Sequence, residues 1–84
     1  MLEIETEKQP EKFLKKCDDN LFDRIYNKLN LLRINPVPSD SKRMQGYDEP
    51  TFRIRIGKLR VLYRINYSKN LIVVVKIDKR ERVY

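Results

Sequence analysis

The chain has 84 residues, with 19 Lys or Arg against 12 Asp or Glu, no His and one Cys, for a formal net charge of +7. A chain of that length forms one small domain that buries only about 60% of the surface its unfolded form exposes, so one sheet face is expected to lie uncovered. The single Cys17 excludes an internal disulfide, and no Cys/His set is available for zinc. The opening MLEIETEKQP lacks an apolar signal core, and the longest apolar run, LIVVV at 71–75, falls short of the roughly 18 residues of a membrane span. A soluble, cytoplasmic protein without a membrane partner is expected.

Leu2 and Ile4 alternate with Glu3 and Glu5, predicting a short opening strand. Thr6 and Gln9 have capping-box spacing, and Pro10 fits a first helical turn; a helix is predicted from there to about Cys17, with Phe13, Leu14 and Cys17 on one face. Asp18-Asp19-Asn20 breaks it and caps a second helix over about 20–33. There Leu21, Phe22, Ile25, Leu29 and Leu32 form an apolar stripe, and Asn35-Pro36 and Pro38 end it. Residues 35–50 read as a linker rich in Pro, Ser and Asp. Three strands follow, at about 51–56, 59–66 and 71–78, the first two joined by Gly57-Lys58 in a type II′ turn. The expected architecture is α+β in one domain, 1–84: an N-terminal strand and a helical hairpin packed on a mainly antiparallel four-stranded sheet.

Charge is unevenly spread. Residues 1–33 hold seven basic and seven acidic side chains; the remaining 12 basic and 5 acidic ones lie in 34–84, so the whole +7 belongs there. Such asymmetry fits a polyanion or an acidic protein as partner. Period-two alternation predicts a core face of Phe52, Ile54, Ile56, Leu59, Val61, Tyr63, Ile65, Leu71, Val73, Val75 and Ile77. The opposite face receives Arg53, Arg55, Arg60, Leu62, Arg64, Ile72, Val74, Lys76 and Asp78, with Arg80 if the last strand continues. A two-residue loop sets Arg55 directly opposite Arg60. Keeping the core face together requires an odd loop before the last strand, which places Arg60 opposite either Lys76 or Asp78. Like charges across a strand pair cost up to about 1 kcal/mol each, so folding alone gives no reason to gather them. A solvated face built for solubility mixes signs, whereas few acids interleave here. Clustered guanidinium groups suit phosphate, which Arg grips bidentately.

The available chemistry is narrow. No histidine can serve as general base. The carboxylates of the second part (Asp40, Asp48, Glu49, Asp78, Glu81) form no metal-binding spacing, Gly46 and Gly57 stand alone, and Ser39, Ser41 and Ser68 lack activating partners. Cys17 on its apolar face reads as core. No metal, cofactor or small-molecule ligand is expected. What remains is electrostatic catalysis on a phosphodiester: RNA carries its own nucleophile, the 2′-hydroxyl, and clustered cations stabilise the charge that develops at phosphorus. The closing KIDKRERVY adds Lys76, Lys79, Arg80, Arg82 and Tyr84, and a tyrosine beside a cationic patch can stack a base.

The helical hairpin ending in LLRINP, then KRMQG, FRIRIGKLRVLYRI and VVVKIDKRERVY, closely resembles the RelE family of toxins from toxin–antitoxin pairs, archaeal members above all, within a broader group that includes ParE. The resemblance covers nearly the whole chain. It implies a microbial ribonuclease-like α+β fold and a ribosome-dependent endoribonuclease that cuts mRNA in the A site through the 2′-hydroxyl. The products are a 2′,3′-cyclic phosphate and a 5′-hydroxyl. By that resemblance Arg53, Arg55, Arg60 and Arg80 are catalytic and Tyr84 stacks on the mRNA base, its carboxylate beside the site. Arg60 and Arg80 would stabilise the phosphate in flight, and Arg53 and Arg55 would hold the mRNA backbone. Lys42, Arg43, Lys58, Arg64, Lys76, Lys79 and Arg82 would dock on ribosomal RNA. The implied partners are the ribosome, mRNA and an acidic RelB-type antitoxin. A ParE-like, non-enzymatic poison of DNA gyrase and a plain RNA-binding module are the alternative expectations.

Overall fold

The computed structural model describes residues 1–79. Strand β1 (Glu3–Thr6) leads into helices α1 (Lys8–Lys16) and α2 (Asp19–Ile34), followed by strands β2 (Lys42–Met44), β3 (Thr51–Ile56), β4 (Leu59–Asn66) and β5 (Leu71–Lys79). The five strands form one sheet in the order β1-β5-β4-β3-β2. All neighbours are antiparallel except β1, which runs parallel to β5. The α+β class is as expected. The strand count is not: the 35–50 linker contains β2, whose Lys42 and Met44 pair with Arg53 and Thr51 on the β3 edge.

Both helices cover one face of the sheet. Asp18 caps α2, its carboxylate accepting from the Leu21 amide at 2.8 Å. Ile25, Leu29 and Leu32 are buried against Ile54, Val61, Ile72, Val74 and Ile77. Phe22 departs from the expected stripe. It lies about 100° around the helix from Leu21 and is 40% exposed, stacked on Tyr26 with ring centroids 6.2 Å apart. The Thr6–Gln9 capping box does not form either: Glu7 is the N-cap residue and gives no side-chain cap. The Gln9 amide instead docks on the backbone of Ile77, its Nε2 donating to the carbonyl at 2.7 Å and its Oε1 accepting from the amide at 2.8 Å. Those two bonds continue along β5 where the β1 ladder has ended at Thr6 and Val74.

The β3–β4 turn matches its prediction. Gly57 has φ +58, and Lys58 does not share the positive φ, as a type II′ turn requires. The turn is also crowded, since a Cβ at Gly57 would lie 2.6 Å from Arg24 Nη2. The β4–β5 hairpin differs from prediction. Its loop is four residues, 67–70, with Asn70 at φ +57 and the Asn66 side chain accepting from Lys69 N and Ser68 Oγ. An even loop puts Ile65 opposite Ile72 and Tyr63 opposite Val74. A bulge then shifts the register by one, so that Leu62 faces Lys76 and Arg60 faces Asp78. In consequence Ile72 and Val74 are buried in the core and Leu71, Val73 and Val75 are only half-buried, the reverse of strict alternation, while Ile77 is buried as expected. The run of three valines hides the change of phase.

Candidate functional site

The uncovered sheet face is built in rows across the strands. One row runs Lys42, Arg53, Leu62, Lys76 over β2, β3, β4 and β5. The next runs Arg55, Arg60, Asp78. Neighbouring strands are about 4.8 Å apart, so six basic or acidic side chains and Leu62 share a patch two residues deep. Arg55 stands directly opposite Arg60, as the turn geometry predicts. Of the two positions open for Arg60's other neighbour, the bulge selects Asp78.

Acids reach this face both from β5 and from outside the hairpins. Asp78 lies side-on to Arg60, Oδ1 at 3.4 Å from Nε and Oδ2 at 3.4 Å from Nη2. Its Oδ2 is also 3.6 Å from Lys76 Nζ. A third row holds Arg64 between Thr51 and Val73. There Arg64 Nη2 contacts Glu7 at 2.9 Å and Nε contacts Glu49 at 3.0 Å, so it ties β4 to the start of α1 and to the loop before β3. The expectation of few interleaved acids holds for the hairpin sequence and fails for the folded face. Glu7 and Glu49 come from remote segments, so no local pattern announces them. Arg53 Nε is buried and has no hydrogen-bond partner among the described residues.

The remaining predicted positions divide. Lys58 sits at the exposed tip of the β3–β4 turn. Arg43 pairs with Phe52, putting it on the opposite face from Lys42, with its guanidinium 5.8 Å from the Phe52 ring centroid. Lys79 pairs with Leu59 on the helix side and lines a groove of about 430 Å³ with Lys12, Phe13, Lys16, Cys17 and Leu21. Neither Arg43 nor Lys79 joins the basic rows. Arg80, Arg82 and Tyr84 lie outside the described residues. Tyr63 is fully buried; its hydroxyl donates to the Pro36 carbonyl at 2.7 Å, and burial pushes the phenol up to about 12, so it braces the framework. On the far side of the molecule Lys28 holds the Asp40 carboxyl below its ordinary value through a 2.6 Å contact.

Residues 4–84 match the family model described as the ParE toxin of type II toxin–antitoxin systems, parDE. The chain belongs to the RelE/ParE family of type II toxins. It is 34% identical over 84 residues to the candidate toxin RelE1 of Methanocaldococcus jannaschii, covering 96% of this chain and 92% of that protein. Its fold is similar to a chain of the archaeal RelE–RelB complex from Pyrococcus horikoshii, with a TM-score of 0.85 at 26% identity over 98% of both chains. It is also similar to the isolated Escherichia coli RelE toxin, with a TM-score of 0.84 at 16% identity over 99% of this chain and 88% of that one; at that identity the likeness speaks for the fold. As a toxin of this family the chain presents its cationic rows on the sheet face that the helices leave open.

Proposed function

We propose that this toxin is a ribosome-dependent endoribonuclease that cuts mRNA in the A site, with the 2′-hydroxyl as nucleophile. The observation that carries the reading is the pairing of Arg55 opposite Arg60 beside Arg53, with Lys42 and Lys76 completing the rows. This is a concentration of guanidinium and ammonium groups that the fold does not need and a phosphodiester does. Arg60 stabilises the pentavalent phosphate, and Arg53 and Arg55 grip the flanking backbone; the buried Arg53 Nε is a donor awaiting an acceptor. Lys42 and Lys58 dock on ribosomal RNA, with Arg43, Lys79 and Arg82 adding to that docking from outside the rows; Arg64 is held by Glu7 and Glu49, and Lys76 stands beside Asp78. On the family resemblance Arg80 joins Arg60 at the phosphate and Tyr84 stacks on the base.

The same charge calls for neutralisation in the producing cell. An acidic RelB-type antitoxin fits, and the Pyrococcus horikoshii relative at 26% identity was crystallised as a RelE–RelB complex. Ribosomes and mRNA place the action in the cytoplasm; among the described residues no helix is long and apolar enough to cross a membrane.

A second reading has a specific observation behind it, since the matching family model is described by ParE: a non-enzymatic poison of DNA gyrase. One experiment separates them. The toxin is added to a translating extract and mRNA 5′ ends are mapped by primer extension. Codon-phased cuts that need ribosomes are expected. Intact mRNA with accumulating gyrase-cleaved DNA would replace the first reading by the second.

A further inference from the structure

The endoribonuclease reading leaves one role unfilled, the acceptor of the 2′-hydroxyl proton. Arginine stays protonated and cannot take it, the chain has no histidine, and the Tyr63 hydroxyl is buried against the Pro36 carbonyl. Among the described residues the two cationic rows hold a single carboxylate, Asp78. We propose that Asp78 is the general base of the cut, an assignment that rests on the endoribonuclease reading.

The geometry supports it in three ways. Asp78 stands across from Arg60 and engages only the Nε and Nη2 edge, at 3.4 Å each, the long end of hydrogen bonding, so the carboxylate is oriented without being locked. Nη1 of Arg60 has no partner among the described residues. A phosphate oxygen bound there shares one guanidinium with the carboxylate, which brings the adjoining ribose 2′-hydroxyl to the base. Third, the carboxylate is half-exposed on the open face, so RNA reaches it. Among the described residues the charged groups around it are Arg60 from β4, Arg55 beyond it on β3, and Lys76 on its own strand; from α1 the neutral Gln9 holds the neighbouring Ile77 backbone.

The step balances without metal or water. The 2′-hydroxyl proton passes to an Asp78 carboxylate oxygen as the 2′-oxygen–phosphorus bond forms. The bond from phosphorus to the 5′-oxygen breaks, and that oxygen takes a proton from the Lys76 ammonium. Asp78 then returns its proton to Lys76 across the 3.6 Å contact. The products are the 2′,3′-cyclic phosphate and the 5′-hydroxyl, and both side chains end as they began.

The test measures single-turnover cutting of mRNA on programmed ribosomes over a range of pH, using the full chain and its Asp78→Asn and Asp78→Glu variants. Ribosome affinity and thermal midpoint are measured alongside. For Asp78→Asn a fall of about 10²–10⁴-fold is expected, with affinity and midpoint held and the limb of the rate profile that rises from acid pH abolished. Asp78→Glu, which keeps a carboxylate in the rows, is expected to cut more slowly with that limb retained. Wild-type cutting matched or exceeded by Asp78→Asn overturns the assignment alone, making the carboxylate a mere counter-ion to Arg60. Loss of that limb in Asp78→Glu while it cuts also overturns it. A wild-type protein that leaves ribosome-bound mRNA intact overturns the endoribonuclease reading and the base together.

Discussion

Alkaline titration of Tyr63 tests how the framework beneath the basic face is held. The phenol is fully buried between the helices and β4, and its hydroxyl donates to the Pro36 carbonyl at 2.7 Å. Burial raises it from 10.0 to about 12, so between those values the folded chain keeps a proton that the unfolded chain has lost. A group raised on folding contributes its stability in full below the unfolded value and loses it as pH rises through the folded one. Two pH units at about 1.36 kcal/mol each put the loss near 2.7 kcal/mol. Tyr63→Phe removes the titration and also the hydrogen bond, which costs about 1 kcal/mol. Urea unfolding at pH 9 to 12 should therefore find the wild type more stable by about 1 kcal/mol at pH 9. Half of the linkage loss, about 1.4 kcal/mol, has accrued by pH 11, so the two curves should cross just below it. Lysines and the other tyrosines titrate in both proteins and cancel in the difference. Parallel curves across that range would refute the reasoning, because they would mean that the hydroxyl ionises as easily folded as unfolded.

Arg60→Ala should lower the cutting rate on programmed ribosomes by about 10²–10³-fold with little change in thermal midpoint, because its pair with Asp78 is half-exposed and worth at most about 1 kcal/mol; normal cutting by this variant would remove Arg60 from the site. A 2′-deoxy nucleotide at the cut position should leave the mRNA uncut while ribosome binding persists, and cleavage of that substrate would exclude attack by the 2′-hydroxyl. Gly57→Ala should destabilise the toxin by about 1–3 kcal/mol, since the turn needs φ +58 there, while the flexible Arg24 guanidinium, 2.6 Å from the new Cβ, can swing aside; an unchanged urea midpoint would contradict the turn assignment.

The turn and both helices were legible in the sequence because their signals are local. Gly57 at the first turn position fixes the loop, the loop fixes Ile56 opposite Leu59, and the pair Arg55–Arg60 follows with no freedom left. The Asp18 cap was legible for the same reason. What escaped was set by partners distant in sequence. Strand β2 has three residues, flanked by turns, and exists because the β3 edge offers it a ladder. Gln9 has the spacing of a capping box, but a longer-range use for its amide on Ile77 wins. In β5 the apolar run carries no phase information: Val73, Val74 and Val75 satisfy either parity, and only the four-residue loop and the bulge decide which enters the core.

That bulge also sets Asp78 directly opposite Arg60 on the open face. Strict alternation through β5 would still have put Lys76 and Asp78 outward, but with Ile72 and Val74 beside them in place of Val73. The folded face therefore has two ends of different sign balance. At the Asn66 end Arg64 is spent on Glu7 and Glu49, which arrive from the start of α1 and from the loop before β3. At the Gly57 end Arg53, Arg55, Arg60, Lys42 and Lys76 share the two rows with one carboxylate, Asp78. Four arginines spread along a hairpin thus resolve into one structural tie and one concentrated field. On the proposed reading, a phosphodiester drawn to the positive end meets three guanidinium groups and, among the described residues, one carboxylate. This is why the cut, and the base that starts it, are assigned to the Gly57 end rather than to the face at large.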